Sequence, residues 1–282
     1  MQNKVFSPNK TLRVGGRLID LGIPKIMGIL NVTPDSFYDG GRYHNEKSIL
    51  SKAGRMLEEG ADFIDVGGCS SRPGAEIISP EEESGRAIPA IRSIIKTFPQ
   101  ALLSIDTFRA EIARMALEEG AVMINDIAGG DMDEDMYPLV SRKKVPYILM
   151  HMRGTPQTMA SQAHYTNVLK EVTDHFHTKV KHLQAMGATD LMIDPGFGFA
   201  KTRGQSFDLL KGLDYLKILD VPIVAGLSRK SMVWKTLGTD PEGALNGTTI
   251  LNTVALLKGA NLLRVHDVKQ AVEVVKLTKF VL

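Results

Sequence analysis

The chain has a single cysteine, Cys69, in 282 residues. No disulfide can form within it, and a reducing cytoplasm is the natural setting. It has no basic block. Its 34 Lys and Arg against 32 Asp and Glu leave a net charge of +2, which gives no footprint for nucleic acid or a membrane surface. No apolar run approaches the roughly 18 residues needed to span a bilayer. The opening segment, MQNKVFSPNK, lacks the apolar stretch of a signal peptide. No G-x-G-x-x-G follows an apolar run, which weakens a dinucleotide-binding reading. A soluble intracellular protein is expected, without nucleic-acid or membrane partners.

What is present is a repeat of layout. Apolar residues make up 43% and charged residues 23%, ordinary for a chain that buries a large core. Eight apolar runs end in polar residues: Ile26 to Asn31, Phe63 to Gly67, Leu102 to Asp106, Val122 to Asp126, Tyr147 to Met152, Leu191 to Asp194, Pro222 to Ser228 and Leu262 to His266. Helical stretches separate them, among them Ser48 to Glu59, Pro80 to Phe98, Arg109 to Glu119, Thr166 to Met186 and Gly243 to Lys258. Gly60, Gly120 and Gly187 follow helical segments and suit helix C-caps that feed the next strand. Eight strand–helix alternations at this length predict an α/β fold, a (β/α)8 TIM barrel, over an open doubly wound sheet. Lys10 to Ile19 reads as a hairpin with a Gly15-Gly16 turn, so residues 1–24 form an N-terminal cap on one domain of residues 1–282.

Barrel active sites lie at the carboxyl ends of the strands. Those ends supply Asn31, the Cys69-Ser70-Ser71-Arg72 loop, Asp106, Asn125 with Asp126, His151 with Arg153, Asp194, Ser228-Arg229-Lys230, and Arg264 with His266. The acids and amides suit hydrogen bonding to a polar heterocycle. Arg72, Lys230, Arg264 and His266 suit an anion. Asn31 offers the kind of oxygen that Mg²⁺ accepts when substrate phosphates and waters complete its shell. Plainer roles compete. Asp106 and Asp194 are the type of residue that caps a following helix. His151 reads as a core histidine, Trp234 as helix packing and Cys69 as a small buried hydrophobe. Met27, Met123, Met150, Met152 and Met192 read as core. Polar residues at nearly every strand end on one face favour a site over coincidence.

The ordered stretches MGILNVTPDSFYDGG, GGCSSRPGAE, SIDT, INDI, MHMRGTPQTM, DPGFGFAK, GLSRKSM and RVHDV resemble the dihydropteroate synthase family of folate biosynthesis, from about Lys25 to the C-terminus. The resemblance implies a TIM barrel. It also implies condensation of 6-hydroxymethyl-7,8-dihydropterin pyrophosphate with p-aminobenzoate, with Mg²⁺ as cofactor at Asn31 and sulfonamides as competing mimics. By resemblance, Asp106, Asn125, Asp194, Lys230 and Arg264 bind the pterin, and Asp106, Lys230 and Arg264 carry the catalysis. Asn31, Arg72, Arg264 and His266 hold the pyrophosphate. Phe37, Ser71, Pro73 and Ser228 form the p-aminobenzoate site, with Asp35 ordering the first loop. Gly40-Gly41 and Gly67-Gly68 are expected to be flexible flanks of closing loops. Family members are often homodimers, and Val268 to Leu282 has apolar residues to spare.

The chain departs from the family pattern at Cys69, where Glu is common, at Ser71, where Thr is common, and at Tyr38, where Ser is usual. These changes bear on p-aminobenzoate and sulfonamide affinity more than on the reaction. A methyltetrahydrofolate-binding methyltransferase domain would be expected to lack the pyrophosphate set. A pterin-binding protein without turnover would not need Asn31, Asp106, Lys230 and Arg264 together. A barrel enzyme acting on sugar phosphates leaves the Asp and Asn residues unexplained.

Overall fold

The computed structural model describes residues 11–33, 41–70 and 74–281. A two-stranded hairpin comes first: β1 (Thr11–Val14) pairs antiparallel with β2 (Arg17–Asp20). Gly15 and Gly16 form its turn with φ of 53° and 76°, the positive-φ pair that a tight two-residue hairpin turn requires. Eight parallel strands follow: β3 (Lys25–Asn31), β4 (Phe63–Gly67), β5 (Leu103–Asp106), β6 (Met123–Asp126), β7 (Tyr147–Met150), β8 (Leu191–Asp194), β9 (Val224–Ala225) and β10 (Leu262–Val265). Their spatial order is β8-β7-β6-β5-β4-β3-β10-β9. A single parallel bridge, Ile193 to Ile223, joins the two ends. The eight apolar runs are all strands of a barrel, although the run Pro222 to Ser228 contributes only two ladder residues.

Helices alternate with the strands: α1 (Gly41–Glu58), α2 (Pro80–Thr97), α3 (Ala110–Glu118), α4 (Met136–Lys143), α5 (Val168–Ala185), α6 (Arg203–Lys211), α7 (Ser231–Leu237), α8 (Leu245–Leu257) and α9 (Val268–Thr278). Local chemistry sets their ends. Ser79 caps α2 through the Glu82 N–H, with Pro80 opening the helix and Glu81, Glu82 and Glu83 in its first turn. Thr202 and Gln205 form a reciprocal capping box on α6. Gly60, Gly120 and Gly187 have φ of 100°, 104° and 91°, so each turns a helix back to its strand in a conformation that costs glycine least.

The interior is divided along the barrel axis. Leu12, Val14 and Leu21 of the hairpin region pack against Met27, Phe63, Met123, Ile148, Met192, Val224 and Leu262, closing the amino-terminal end with apolar side chains. A larger cluster lies between the strands and the helices. Polar side chains are left for the opposite end.

Candidate active site

Side chains alternate across a strand, so residues two apart share a face. Asp65 and Gly67 of β4, Asp106 of β5 and Asn125 of β6 therefore turn inward together. The ladder places Gly67 opposite Asp106, and Asp106 opposite Asn125. Met150 of β7 stands opposite Asp194 of β8. Asp65 is fully buried, Asn125 and Asp194 are 4% exposed, and Asp106 is 7% exposed.

Arg264 of β10 ties this group together. Its Nε donates to Asp65 Oδ2 at 2.7 Å, and its Nη2 donates to Asp106 Oδ2 at 2.5 Å. Asn125 Nδ2 donates to the same Asp65 oxygen at 2.9 Å. Asp65 Oδ1 is buried with no hydrogen-bond partner among the described residues. Burial pushes the Asp106 carboxyl up to about 7 despite Arg264, with Asp65, Glu83 and Asp126 adding to the rise. Two carboxylates sharing one guanidinium form a pocket with surplus negative charge.

Asp194 and Lys230 stand on the far side. Asp194 Oδ1 accepts the Gly196 N–H at 2.7 Å. Lys230 Nζ donates to the Phe197 carbonyl and lies 4.5 Å from the Phe199 ring centroid. Burial lowers Lys230 to about 8, against the pull of Asp194. A Cβ on Gly226 would sit 3.4 Å from Asp194 Oδ2 and 4.0 Å from Lys230 Nζ, so glycine keeps the gap between them open. Beneath this loop is Lys201, whose Nζ reaches His151 Nδ1 at 2.9 Å and the carbonyls of Phe199, Gly196 and His151 at 3.0, 3.1 and 3.2 Å. Burial drives the Lys201 ammonium well below its usual range and also lowers His151. Lys201 therefore fastens the turns after β7 and β8, and His151 is a buried structural partner of it.

At the rim, Ser228 Oγ lies 3.0 Å from His266 Nδ1 and accepts the His266 backbone N–H at 3.1 Å. The two are neighbours, although the resemblance assigns them to different substrates. Asn31 ends β3 beside Gly67. A Cβ on Gly67 would be 3.4 Å from Asn31 Oδ1 and 3.6 Å from Asp106 Oδ2. Glycine thus leaves room in front of the Asn31 oxygen. Among the described residues, no group of three or more His, Cys, Asp and Glu is placed to hold a metal ion. A single amide oxygen with open space is still the donor set that fits Mg²⁺ carried on a diphosphate.

Other candidates separate from this group. Phe37, Ser71, Arg72 and Pro73, with Asp35 and Tyr38, lie outside the described residues. Asp106 and Asp194 do not cap helices: Asp133 Oδ2 takes the Ala110 N–H at the start of α3, and Thr202 caps α6. Asp126 faces outward, accepting the Tyr147 hydroxyl and the N–H groups of Ala128 and Gly130. Arg153 pairs with Glu171 at 2.8 Å. Gly67 and Gly68 are not loose flanks. Gly67 is a strand residue, and a Cβ on Gly68 would meet the Glu83 carbonyl oxygen at 2.8 Å. Burial raises the Cys69 thiol, which makes it a poor nucleophile. Glu83 is buried beside this segment, accepting the Thr107 hydroxyl at 2.6 Å and pairing with Arg109.

Asp65 and Lys201 are the two residues that sequence reasoning missed. Asp65 interrupts the apolar run Phe63 to Gly67 at an inward position two residues before the strand end, and that was its signal. Lys201 ends the stretch DPGFGFAK, and nothing in the sequence marks it as buried.

A sequence model of a family described as pterin binding enzyme matches residues 27–266. A dihydropteroate synthase of Synechocystis sp. is 41% identical over 94% of this chain and 93% of its own. The Xanthomonas albilineans dihydropteroate synthase, solved with 4-aminobenzoic acid, superposes with a TM-score of 0.90 at 38% identity, covering 98% of both chains. A Yersinia pestis dihydropteroate synthase in a sulfonamide drug complex gives 0.90 at 36% identity, covering 96% of this chain and 98% of that one. With that extent of match, and a polar cluster built at the barrel's carboxyl end, the chain belongs to the pterin-binding enzymes, among the dihydropteroate synthases.

Proposed function

We propose that the barrel mouth joins 6-hydroxymethyl-7,8-dihydropterin pyrophosphate to p-aminobenzoate, releasing pyrophosphate and 7,8-dihydropteroate. The observation that carries this reading is the Arg264 guanidinium held between the buried Asp65 and Asp106 carboxyls, with Asn125 beside it. Asp106, Asn125, Asp194 and Lys230 bind the pterin ring, and Arg264 packs against it on the side facing the pyrophosphate. The C–O bond between the pterin methylene and the pyrophosphate breaks, and its electron pair leaves with the oxygen. Arg264, His266 and Arg72 stabilise that departing charge. Asp106, fixed where water is scarce, stabilises the cationic methylene left behind. The amine of p-aminobenzoate then attacks the methylene carbon and loses a proton. No protein nucleophile is needed, in keeping with the raised Cys69 thiol.

Mg²⁺ held at Asn31 would add positive charge to the leaving pyrophosphate. Phe37, Ser71, Pro73 and Ser228 are assigned to the p-aminobenzoate side, where sulfonamides compete as mimics. A second copy is assigned to the α8–α9 face. A groove of about 760 Å³ there is lined by Leu245, Thr249, Val274, Leu277 and Val281, and Leu277, Phe280 and Val281 are more than two-thirds exposed. A lone cysteine supports a cytoplasmic setting. The test is pyrophosphate release from the purified protein with dihydropterin pyrophosphate and Mg²⁺, with and without p-aminobenzoate. Release that depends on p-aminobenzoate and yields dihydropteroate is the expected result. Pterin binding without release would refute turnover.

A further inference from the structure

Asp65 does not stand at a strand end, yet it is the most deeply buried member of the polar cluster. One oxygen, Oδ2, accepts from both Arg264 Nε and Asn125 Nδ2, at 2.7 and 2.9 Å. Two of the groups assigned to the pterin are therefore oriented by this single atom. Because Asn125 gives an N–H to Asp65, its Oδ1 stays available as an acceptor. The other carboxylate oxygen, Asp65 Oδ1, is buried with no donor among the described residues. Its charge is thus only partly neutralised by Arg264, which is shared with Asp106.

We infer that Asp65 is a positioning residue for turnover: it sets the orientation of Arg264 and Asn125, and its buried charge joins that of Asp106 in stabilising the cationic pterin methylene. The inference rests on the reaction proposed above. It goes further by dividing the anionic work between two carboxylates that share Arg264, of which Asp65 also orients Asn125.

The two roles are separable in the full-length protein. Asp65→Asn keeps an oxygen for Arg264 and Asn125 but removes the charge. Its KM for dihydropterin pyrophosphate should change by less than about 3-fold, while kcat falls by roughly 30- to 100-fold. Asp65→Ala removes both, so KM should rise by about 10-fold or more with a similar loss in kcat. That variant leaves a gap the size of a carboxyl group. Formate should restore its kcat several-fold, and neutral formamide of similar size should not.

A kcat for Asp65→Asn within about 2-fold of the unaltered protein would overturn the charge role. Equal rescue by formate and formamide would overturn it too, since filling space would then suffice. Melting curves report folding, and failure of both variants to fold would overturn the inference by making Asp65 a determinant of the barrel alone. An unaltered protein that releases no pyrophosphate would instead refute the proposed reaction, so the two failures are distinguishable.

Discussion

Replacing Asp106 by asparagine should stabilise the ligand-free protein while disabling it. The folded environment holds this carboxyl at about 7, because burial outweighs the attraction of Arg264 and because Asp65, Glu83 and Asp126 surround it with like charge. In an unfolded chain the same group titrates near ~3.9. Between those values the folded state binds more protons than the unfolded one, so its stability falls as pH rises. By pH 8 the ionised group costs about 4 kcal/mol relative to a neutral one of the same shape. Asparagine keeps an oxygen for the Arg264 N–H now 2.5 Å from Asp106 Oδ2. The cost just given is already net of the attraction of Arg264. The gain at pH 8 is therefore about 4 kcal/mol, or about 7 °C in Tm for a chain of 282 residues. Calorimetry of both proteins at pH 5, 6.5 and 8 reads the effect directly, and the advantage should shrink steadily toward the acid end. Turnover should meanwhile fall by about 100-fold or more. A Tm difference that is the same at every pH would refute the reasoning, as would turnover within a few-fold of the original.

Three further perturbations test other parts of the structure. Lys201→Met strips the donor from two buried and one part-buried carbonyl and from His151. It should cost about 2–4 kcal/mol in denaturant unfolding and raise the KM for the pterin substrate, because the loop it secures carries the Asp194 and Lys230 contacts. Tyr147→Phe removes the hydroxyl 2.7 Å from Asp126, a carboxyl pushed up to about 6. The loss should be about 1–3 kcal/mol above that pH, where the acid is ionised, and smaller below it. Leu277→Glu places a charge on the exposed α9 side of the groove. In sedimentation it should shift a dimer to monomer, and an unchanged sedimentation coefficient would exclude this face as the interface.

The barrel was legible because its signal is repeated. Eight apolar runs with polar ends, and glycines returning helices to strands, leave few other architectures. Boundaries were less legible where tertiary context decides them. Pro222 to Ser228 is uniformly buried but bends away from the ladder after Ala225, and no periodicity marks that. Strand ends alone offered a wider set, with Asp126, His151 and Arg153 in it, and the family resemblance singled out Asp106, Asn125, Asp194, Lys230 and Arg264. The fold gathers these five around Arg264 and Asp65. Their pairing could not be read, because it depends on which residues turn inward and at what height. Asp65 was passed over for that reason: in an apolar run it looks like an interruption, and only the β4–β10 geometry makes it a partner of Arg264. The pairing of Ser228 with His266 was hidden for a related reason. Thirty-eight residues separate them in the chain, while β9 and β10 are adjacent in space.

The hairpin that seals the barrel floor also governs traffic. With Leu12, Val14 and Leu21 packed into one end, the polar cluster faces the other end among the described residues. Whatever binds deepest must enter first and cannot leave past a later arrival. If the pterin occupies the Asp106–Arg264 level and p-aminobenzoate the rim, binding is compulsorily ordered. The aromatic amine then acts as a stopper that holds the reactive pterin in place, and the joined product has to back out whole through the opening by which its second half came in.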